Sequence, residues 1–274
     1  MSQTSYNNSM TTTQLIHSDN LAYLQQQSSE IYDMVLTSPP YNINIPYDQY
    51  SDNKSVTDYC THVESVLTES FRCLKTGGRI AVNVMPNSQL NLPTHSRITA
   101  LLERLGAVWI TEIIWDKGGV NRWFPRGTYG SAVKPWFQHS FEYVVVLGKG
   151  TTRREAPCKG DLTNKEYTEW TTPLWRLRPE QQMKSLGHPA VFPQPLVMRL
   201  LKLFSWPGDH VVDPWGGTGT TALVAQQLNR SATSIEQSLQ YHQTAQARVN
   251  KETVWQDLFE TSESNTQPID KLFD

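Results

Sequence analysis

A glycine-rich turn, Asp213-Pro214-Trp215-Gly216-Gly217-Thr218-Gly219-Thr220-Thr221, joins an apolar run at residues 210–213 to an amphipathic stretch at 220–229. Such a turn between a strand and a helix is the mark of an open α/β sheet, in which ligands bind beyond the carboxyl ends of the strands. The rest of the chain repeats the alternation. Strands are predicted at 14–17 and 33–37 around a helix at 21–27. Residues 57–74 have helical spacing, with Tyr59, Val63, Val66, Leu67 and Phe71 on one face and Gly77-Gly78 as the stop. A strand at 79–84, a helix at 96–105 ending at Gly106, and β-rich runs at 108–115 and 142–147 follow. After a less regular stretch the pattern resumes with a helix at 195–205, the 210–213 strand, the 220–229 helix, a strand at 232–235 and a last helix to 250. A mostly parallel sheet with helices on both faces is expected.

The 274 residues suffice for one large domain carrying a small recognition piece. Residues 1–13 are polar and expected to be disordered, 14–254 form the domain, and 255–274 form an acidic tail. Residues 150–187 show little periodicity and read as an accessory segment. No apolar run reaches the roughly 18 residues that a membrane helix needs, and Met1 to Thr13 has neither signal-peptide regions nor a lipidation motif. An intracellular, cytoplasmic location is expected. Cys60, Cys73 and Cys158 are odd in number, widely spaced and without a C-x-x-C pair, so neither a disulfide framework nor a zinc site is supported. The histidines stand apart from one another and from cysteine, and no metal is assigned.

Beyond the glycines, two acids mark a cofactor site. Asp213 ends its strand, and Glu236 ends the next one, a spacing that suits an acid accepting hydrogen bonds from ribose hydroxyls. Gly217 and Gly219 would let a ligand approach the backbone. The pattern is neither G-x-G-x-x-G nor a phosphate loop, because no Lys-Ser/Thr pair follows the glycines, so a nucleoside without phosphates fits better. S-adenosylmethionine is such a molecule, and its cationic groups would favour the nearby carboxylate of Asp213.

The second informative stretch is Thr37-Ser38-Pro39-Pro40-Tyr41-Asn42, which closes the 33–37 strand. Exocyclic amines of cytosine and adenine are poor nucleophiles because their lone pair is delocalised into the ring. A rigid Pro-Pro turn aims the Pro39 carbonyl and the Ser38 hydroxyl at the amino hydrogens, favouring a pyramidal nitrogen that attacks a sulfonium methyl in line. Tyr41 would stack on the base, which must first leave the duplex at a cost of a few kcal/mol.

At these residues the chain resembles the amino-methylating DNA methyltransferases, in particular the permuted β group, whose catalytic motif precedes the cofactor motif. The resemblance runs from about Gln14 to Val249. It implies a Rossmann-like, circularly permuted sheet that uses S-adenosylmethionine, with Ser38, Pro39, Pro40 and Tyr41 catalytic. The Ser18-Asp19 pair resembles the Gly-Asp that contacts the cofactor's adenine, and His188-Pro189-Ala190-Val191-Phe192-Pro193 resembles the segment near its methionine end. The implied cofactor residues are Asp19, Phe192, Asp213, Trp215, Gly217, Gly219, Thr220 and Glu236, with Trp215 standing where the family usually has Phe. Motif order argues against glutamine and ribosomal-RNA methyltransferases, which place the cofactor glycines first. Cytosine N4 is the favoured target, with adenine N6 as the alternative, because family members with Ser-Pro-Pro-Tyr often modify cytosine. A non-catalytic DNA-binding regulator and a nicotinamide-dependent oxidoreductase leave the Pro-Pro turn unexplained.

Double-stranded DNA is the expected partner, together with a cognate restriction endonuclease acting separately and a homodimer. The formal charge is −2, yet residues 117–159 hold eight Lys/Arg against Glu142 and Glu155. Recognition is assigned to about 117–140 and 150–187, with Arg122, Arg126, Lys134, Arg153 and Arg154 as DNA-contacting cations. In the first segment they are interleaved with Trp123, Phe124 and Tyr129.

Overall fold

The computed structural model describes residues 2–8, 11–45, 47–48, 51–87, 90–118, 132–133, 137, 139–180 and 187–260. Its strands are β1 (Ser2–Asn8), β2 (Thr11–His17), β3 (Tyr32–Thr37), β4 (Leu74–Val84), β5 (Ala107–Asp116), β6 (Phe141–Lys149), β7 (Leu174–Arg176), β8 (His210–Asp213) and β9 (Ser231–Glu236). They form one sheet in the order β1-β2-β9-β8-β3-β4-β6-β5-β7. The run from β2 to β4 is parallel, and β6 is antiparallel to both β4 and β5. The helices are α1 (Asn20–Gln25), α2 (Val56–Cys73), α3 (Thr94–Arg104), α4 (Asn164–Trp170), α5 (Gln194–Phe204), α6 (Thr220–Gln227) and α7 (Leu239–Glu260).

Strand side chains alternate between faces, and the core accordingly splits in two. Val35, Ile80, Val82 and Val212 meet α1, α2 and α3 through Leu24, Leu67 and Leu102. Met34, Leu36, Ala81 and Val211 meet α5, α6 and α7 through Leu200, Leu223 and Ala245. Both faces of the central strands are thus buried, which is why their sequences run apolar instead of alternating.

Three regions differ from the sequence reading. Residues 1–13, expected to be disordered, contain β1 and the start of β2, paired antiparallel from Ser2 opposite His17 to Asn8 opposite Thr11. The β-branched threonines at 11–13 favour extended backbone, and Thr11 and Thr13 are buried. Within the accessory segment, α4 opens on a capping box between Thr163 and Glu166, and β7 adds to the sheet beside β5. Trp170 and Trp175 are buried there, so this part of the segment belongs to the core. Helix α7 runs to Glu260, so residues 255–260 are helical instead of tail; residues 261–274 lie outside the described residues.

Arg154, expected on the DNA surface, is built into the fold. Its Nη1 and Nη2 donate to Asp209 at 2.6 and 2.8 Å, and Nη2 also donates to Asp33 at 2.9 Å. Asp33 lies near the amino end of β3 and Asp209 just before β8, at the opposite end of these strands from the Pro-Pro turn. Sequence reading saw a cation in a basic run, but two nearly buried carboxylates claim it. Arg153 is exposed beside it, at the same far end.

Replacing Arg154 with Met should leave Asp33 and Asp209 short of a counter-charge and lower stability by roughly 3 kcal/mol in urea unfolding. The salt dependence of DNA binding should stay unchanged. A variant of parental stability with weakened DNA binding would return Arg154 to the DNA surface.

Candidate active site

A cavity of about 440 Å³ opens beyond the carboxyl ends of β3, β8 and β9, within the usual range of small-molecule sites. Its walls bring together residues far apart in the chain: Ser38, Pro39, Pro40 and Tyr41 from one side, Asp213 to Gly217, Thr220 and Glu236 from the other, and Phe192 between them. Asp213 ties the two sides. Its carboxylate accepts from Thr37 Oγ1 and Thr221 Oγ1, both at 2.7 Å, and from the backbone N–H of Trp215 at 3.1 Å. Burial pushes this carboxyl up to about 6, against the lowering effect of its three donors.

The Ser-Pro-Pro-Tyr turn is held from below. Asp52, almost fully buried, accepts from the N–H groups of Asn42, Ile43 and Ile45 at 2.7 to 3.0 Å, and Asn87 donates to the Tyr41 carbonyl at 2.7 Å. Asn42 and Asn44 adopt left-handed backbone (φ 54° and 63°), a conformation that Asn tolerates better than most residues. Tyr41 Oη lies 3.1 Å from Ser38 Oγ, accepts from Asn83 Nδ2 at 2.9 Å and donates to Glu142 Oε2 at 2.8 Å. Lys117 donates to the other oxygen of Glu142. Burial, followed by the adjacent Glu142 charge, raises the Tyr41 hydroxyl well above its ordinary value, so it stays protonated. Sequence reading missed Asn83, Glu142, Asp52 and Asn87. An isolated polar residue within an apolar strand, as Asn83 is in β4, was the available signal.

On the cofactor side, Glu236 accepts from Gly217 N at 2.9 Å and Ser238 N at 2.7 Å, leaving lone pairs on both oxygens. Gly217 has φ +51°, and a Cβ there would come within 3.3 Å of the His188 ring. His188 itself is pushed down to about 4 by burial, so it is a neutral ring in this wall. The set of a buried carboxylate, an open glycine backbone and the apolar rings of Trp215 and Phe192 fits a nucleoside.

A protein-family model described as DNA methylase, of the N6/N4 methyltransferases, matches residues 32–247. The chain belongs to this DNA methylase family. It is 29% identical over 160 residues to the type II methyltransferase M.MjaVI of Methanocaldococcus jannaschii, covering 58% of this chain and 82% of that one. With M.ScaI of Streptomyces caespitosus it shares 28% over 255 residues, covering 87% and 81%. A Thermus thermophilus protein assigned as a DNA modification methylase, solved with S-adenosylmethionine, superposes with a TM-score of 0.65 at 25% identity, over 86% of this chain and 94% of that one. The cytosine-N4-specific PvuII DNA methyltransferase shares the fold, with a TM-score of 0.61 at 20% identity over 89% of each chain.

This DNA methylase therefore uses S-adenosylmethionine, which supplies an electrophilic methyl group when bound. Two residues expected in the cofactor set are not among those lining the cavity. Asp19 is exposed and caps α1, accepting from Ala22 N at 2.8 Å, while its neighbour Asn20 lines the cavity and donates to the Pro214 carbonyl. Gly219 (φ +76°) faces α7, where a Cβ would meet that of Ala245 at 2.8 Å, so it serves helix packing. Arg122, Arg126 and Lys134 lie outside the described residues. The segment that carries them leaves β5 and enters β6 at the cavity edge, since β5 runs in the same direction as β4. No described helix is long and apolar enough to cross a membrane, and among the described residues no acid, histidine or cysteine cluster could hold a metal.

Burial, partly offset by backbone donors, raises Glu236 to about 7. Because the folded pKa values of Asp213 and Glu236 exceed those of the unfolded chain, the stability they contribute is complete below about pH 4 and is lost as pH rises through about 6 and 7. Ribose hydroxyls donated to Glu236 would favour its charged form, so S-adenosylmethionine should bind more tightly as pH rises from about 5.5 to 8, with proton release below about pH 7. Calorimetry in buffers of different ionisation enthalpy checks this. A pH-independent affinity without proton release would separate Glu236 from the cofactor.

Proposed function

We propose that the chain methylates the exocyclic amine of a base flipped out of duplex DNA, with cytosine N4 as the target and adenine N6 as the alternative. The carrying observation is the Asp213 bridge, which sets the Ser-Pro-Pro-Tyr turn and the glycine turn across one cavity. Ser38 and the Pro39 carbonyl receive the amino hydrogens, Pro40 stiffens the turn, and Tyr41 stacks on the base. Trp215, Phe192, Gly217, Thr220 and Glu236 line the cofactor's place, with Asn20 in the part expected of Asp19. The preference for cytosine rests on the serine of the motif. With the catalytic motif first and the glycine turn last, the order is that of the permuted β group.

Arg122, Arg126 and Lys134 belong to a segment that starts and ends at the cavity edge, which suits phosphate contact and base reading. The relatives named type II methyltransferases suggest a separately acting restriction endonuclease as partner in the cytoplasm. Charge reversal at Arg122 and Arg126 should weaken DNA binding and flatten its salt dependence; an unchanged slope would move the DNA surface elsewhere.

The deciding experiment incubates the protein with unmethylated duplex DNA and labelled S-adenosylmethionine, then identifies the labelled nucleoside by mass spectrometry. N4-methylcytosine is expected. N6-methyladenine would keep the mechanism and overturn the base, and no label with the cofactor still bound would overturn the activity. Tyr41→Ala should abolish turnover while cofactor binding persists; equal loss of binding would undo the division between the two sides of the cavity.

A further inference from the structure

A serine hydroxyl is a weaker acceptor for an amine than a carboxylate, because hydrogen bonds to charged groups are roughly twice as strong as neutral ones. In this site the charge sits two groups away. Tyr41 Oη is within 3.1 Å of Ser38 Oγ, 2.9 Å of Asn83 Nδ2 and 2.8 Å of Glu142 Oε2. An ionised carboxylate only accepts and an amide nitrogen only donates. The Tyr41 proton therefore points at Glu142, and the Ser38 proton points at Tyr41 Oη. The lone pairs of Ser38 Oγ are left for the cavity that Ser38 lines.

Glu142 is 4% exposed, accepts from Asn83 Nδ2 as well as from Tyr41 and is paired with Lys117. A buried ion pair is commonly no better for stability than apolar packing of the same volume, so stability alone does not account for a charge at this position.

We propose that Glu142 is a positioning residue that acts through Tyr41 on Ser38: it fixes the serine hydroxyl, strengthens it as an acceptor for the target amine and takes up the proton that methylation releases. The inference rests on the amine-methylating reading of the cavity. Hydrogen-bonded chains polarise one another, so the carboxylate charge makes Ser38 Oγ more electron-rich. As the amine lone pair forms the new bond to the methyl carbon, the carbon–sulfur bond breaks and its pair remains on sulfur, leaving the nitrogen positive. One N–H proton then passes to Ser38 Oγ, the Ser38 proton to Tyr41 Oη, and the Tyr41 proton to Glu142. The base loses one proton, both hydroxyls are regenerated, and Glu142 ends as a neutral acid beside Lys117.

Glu142→Gln keeps the shape of the side chain and its contact with Tyr41 but removes the charge and the proton acceptor. Single-turnover methyl transfer to DNA should slow by about 100-fold, the lower end for acid–base assistance. Calorimetric affinity for S-adenosylmethionine and the affinity for DNA should stay within about twofold of the parent. The discriminating readout is rescue. Ser38→Asp places a carboxylate directly on the amine, so in that background Glu142→Gln should cost nothing or raise the rate, since two neighbouring carboxylates no longer compete. An equal cost in both backgrounds would make Glu142 merely structural, and a parental rate for Glu142→Gln alone would also overturn the proposal. If Glu142→Gln fails to melt cooperatively, Tyr41→Phe replaces it in the same comparison, because it breaks the chain while keeping the ring. A parent protein that labels no DNA would fail the activity itself, and it is measured first, so the two failures are told apart.

Discussion

The geometry of the site hangs on one short carboxylate. Asp213 ends β8, receives a hydroxyl from Thr37 at the end of neighbouring β3, and receives another from Thr221 in the first turn of α6. Methyl transfer in line tolerates little displacement, and an error of about 1 Å can cost two orders of magnitude. Fixing two strand ends and a helix start to one buried group is a direct way to hold that tolerance. The arrangement also changes what the carboxylate does. Its bonds go to protein hydroxyls and a backbone amide, which sets the distance between the two motifs, and burial pushes its carboxyl up to about 6.

Most of the sheet was legible because its central strands are buried on both faces and announce themselves as apolar runs between glycines. The failures are physical as well. Strand β1 is polar because edge strands have little to bury, and α4 and β7 are too short for any period to show. Of the site, the residues in contiguous motifs could be read, and those contributed singly could not. Asp52, Asn83, Asn87 and Glu142 act only through folding, which carries them to Tyr41 and the turn after it. Asp19 and Gly219 show the converse: each lies in a readable motif but faces a helix, Asp19 capping α1 and Gly219 packing on α7.

Charge along the chain looked like one basic block, but the sheet divides it between the two ends of its strands. At the far end, Arg154 and Lys75 neutralise Asp33, and Arg154 also holds Asp209, so these cations complete the fold. Arg230, fully buried, does the same for Asp161 and fastens the accessory segment to the core. At the cavity edge, Lys117 turns inward to Glu142, while Arg176 leans out beside Asp116 with most of its side chain in solvent. Sequence proximity within a basic run therefore says little about which partner a cation serves.

The cavity has its own electrostatic demand. Among its described walls are three carboxylates, Asp213, Glu236 and Glu142, and one lysine. That balance suits a cofactor whose reacting end is cationic, while burial raises both Asp213 and Glu236 above the ordinary carboxylate range. It also opposes the approach of a polyanion. A site that takes a cation and a nucleic acid together needs its positive charge outside the cavity, at the distance of the phosphates. The basic segment that begins at Lys117 and returns at β6 starts and ends on that rim. With the proposed phosphate contact by that segment, the acidic interior and the basic segment become two halves of one requirement, and neither is explained by the near-neutral charge of the whole chain.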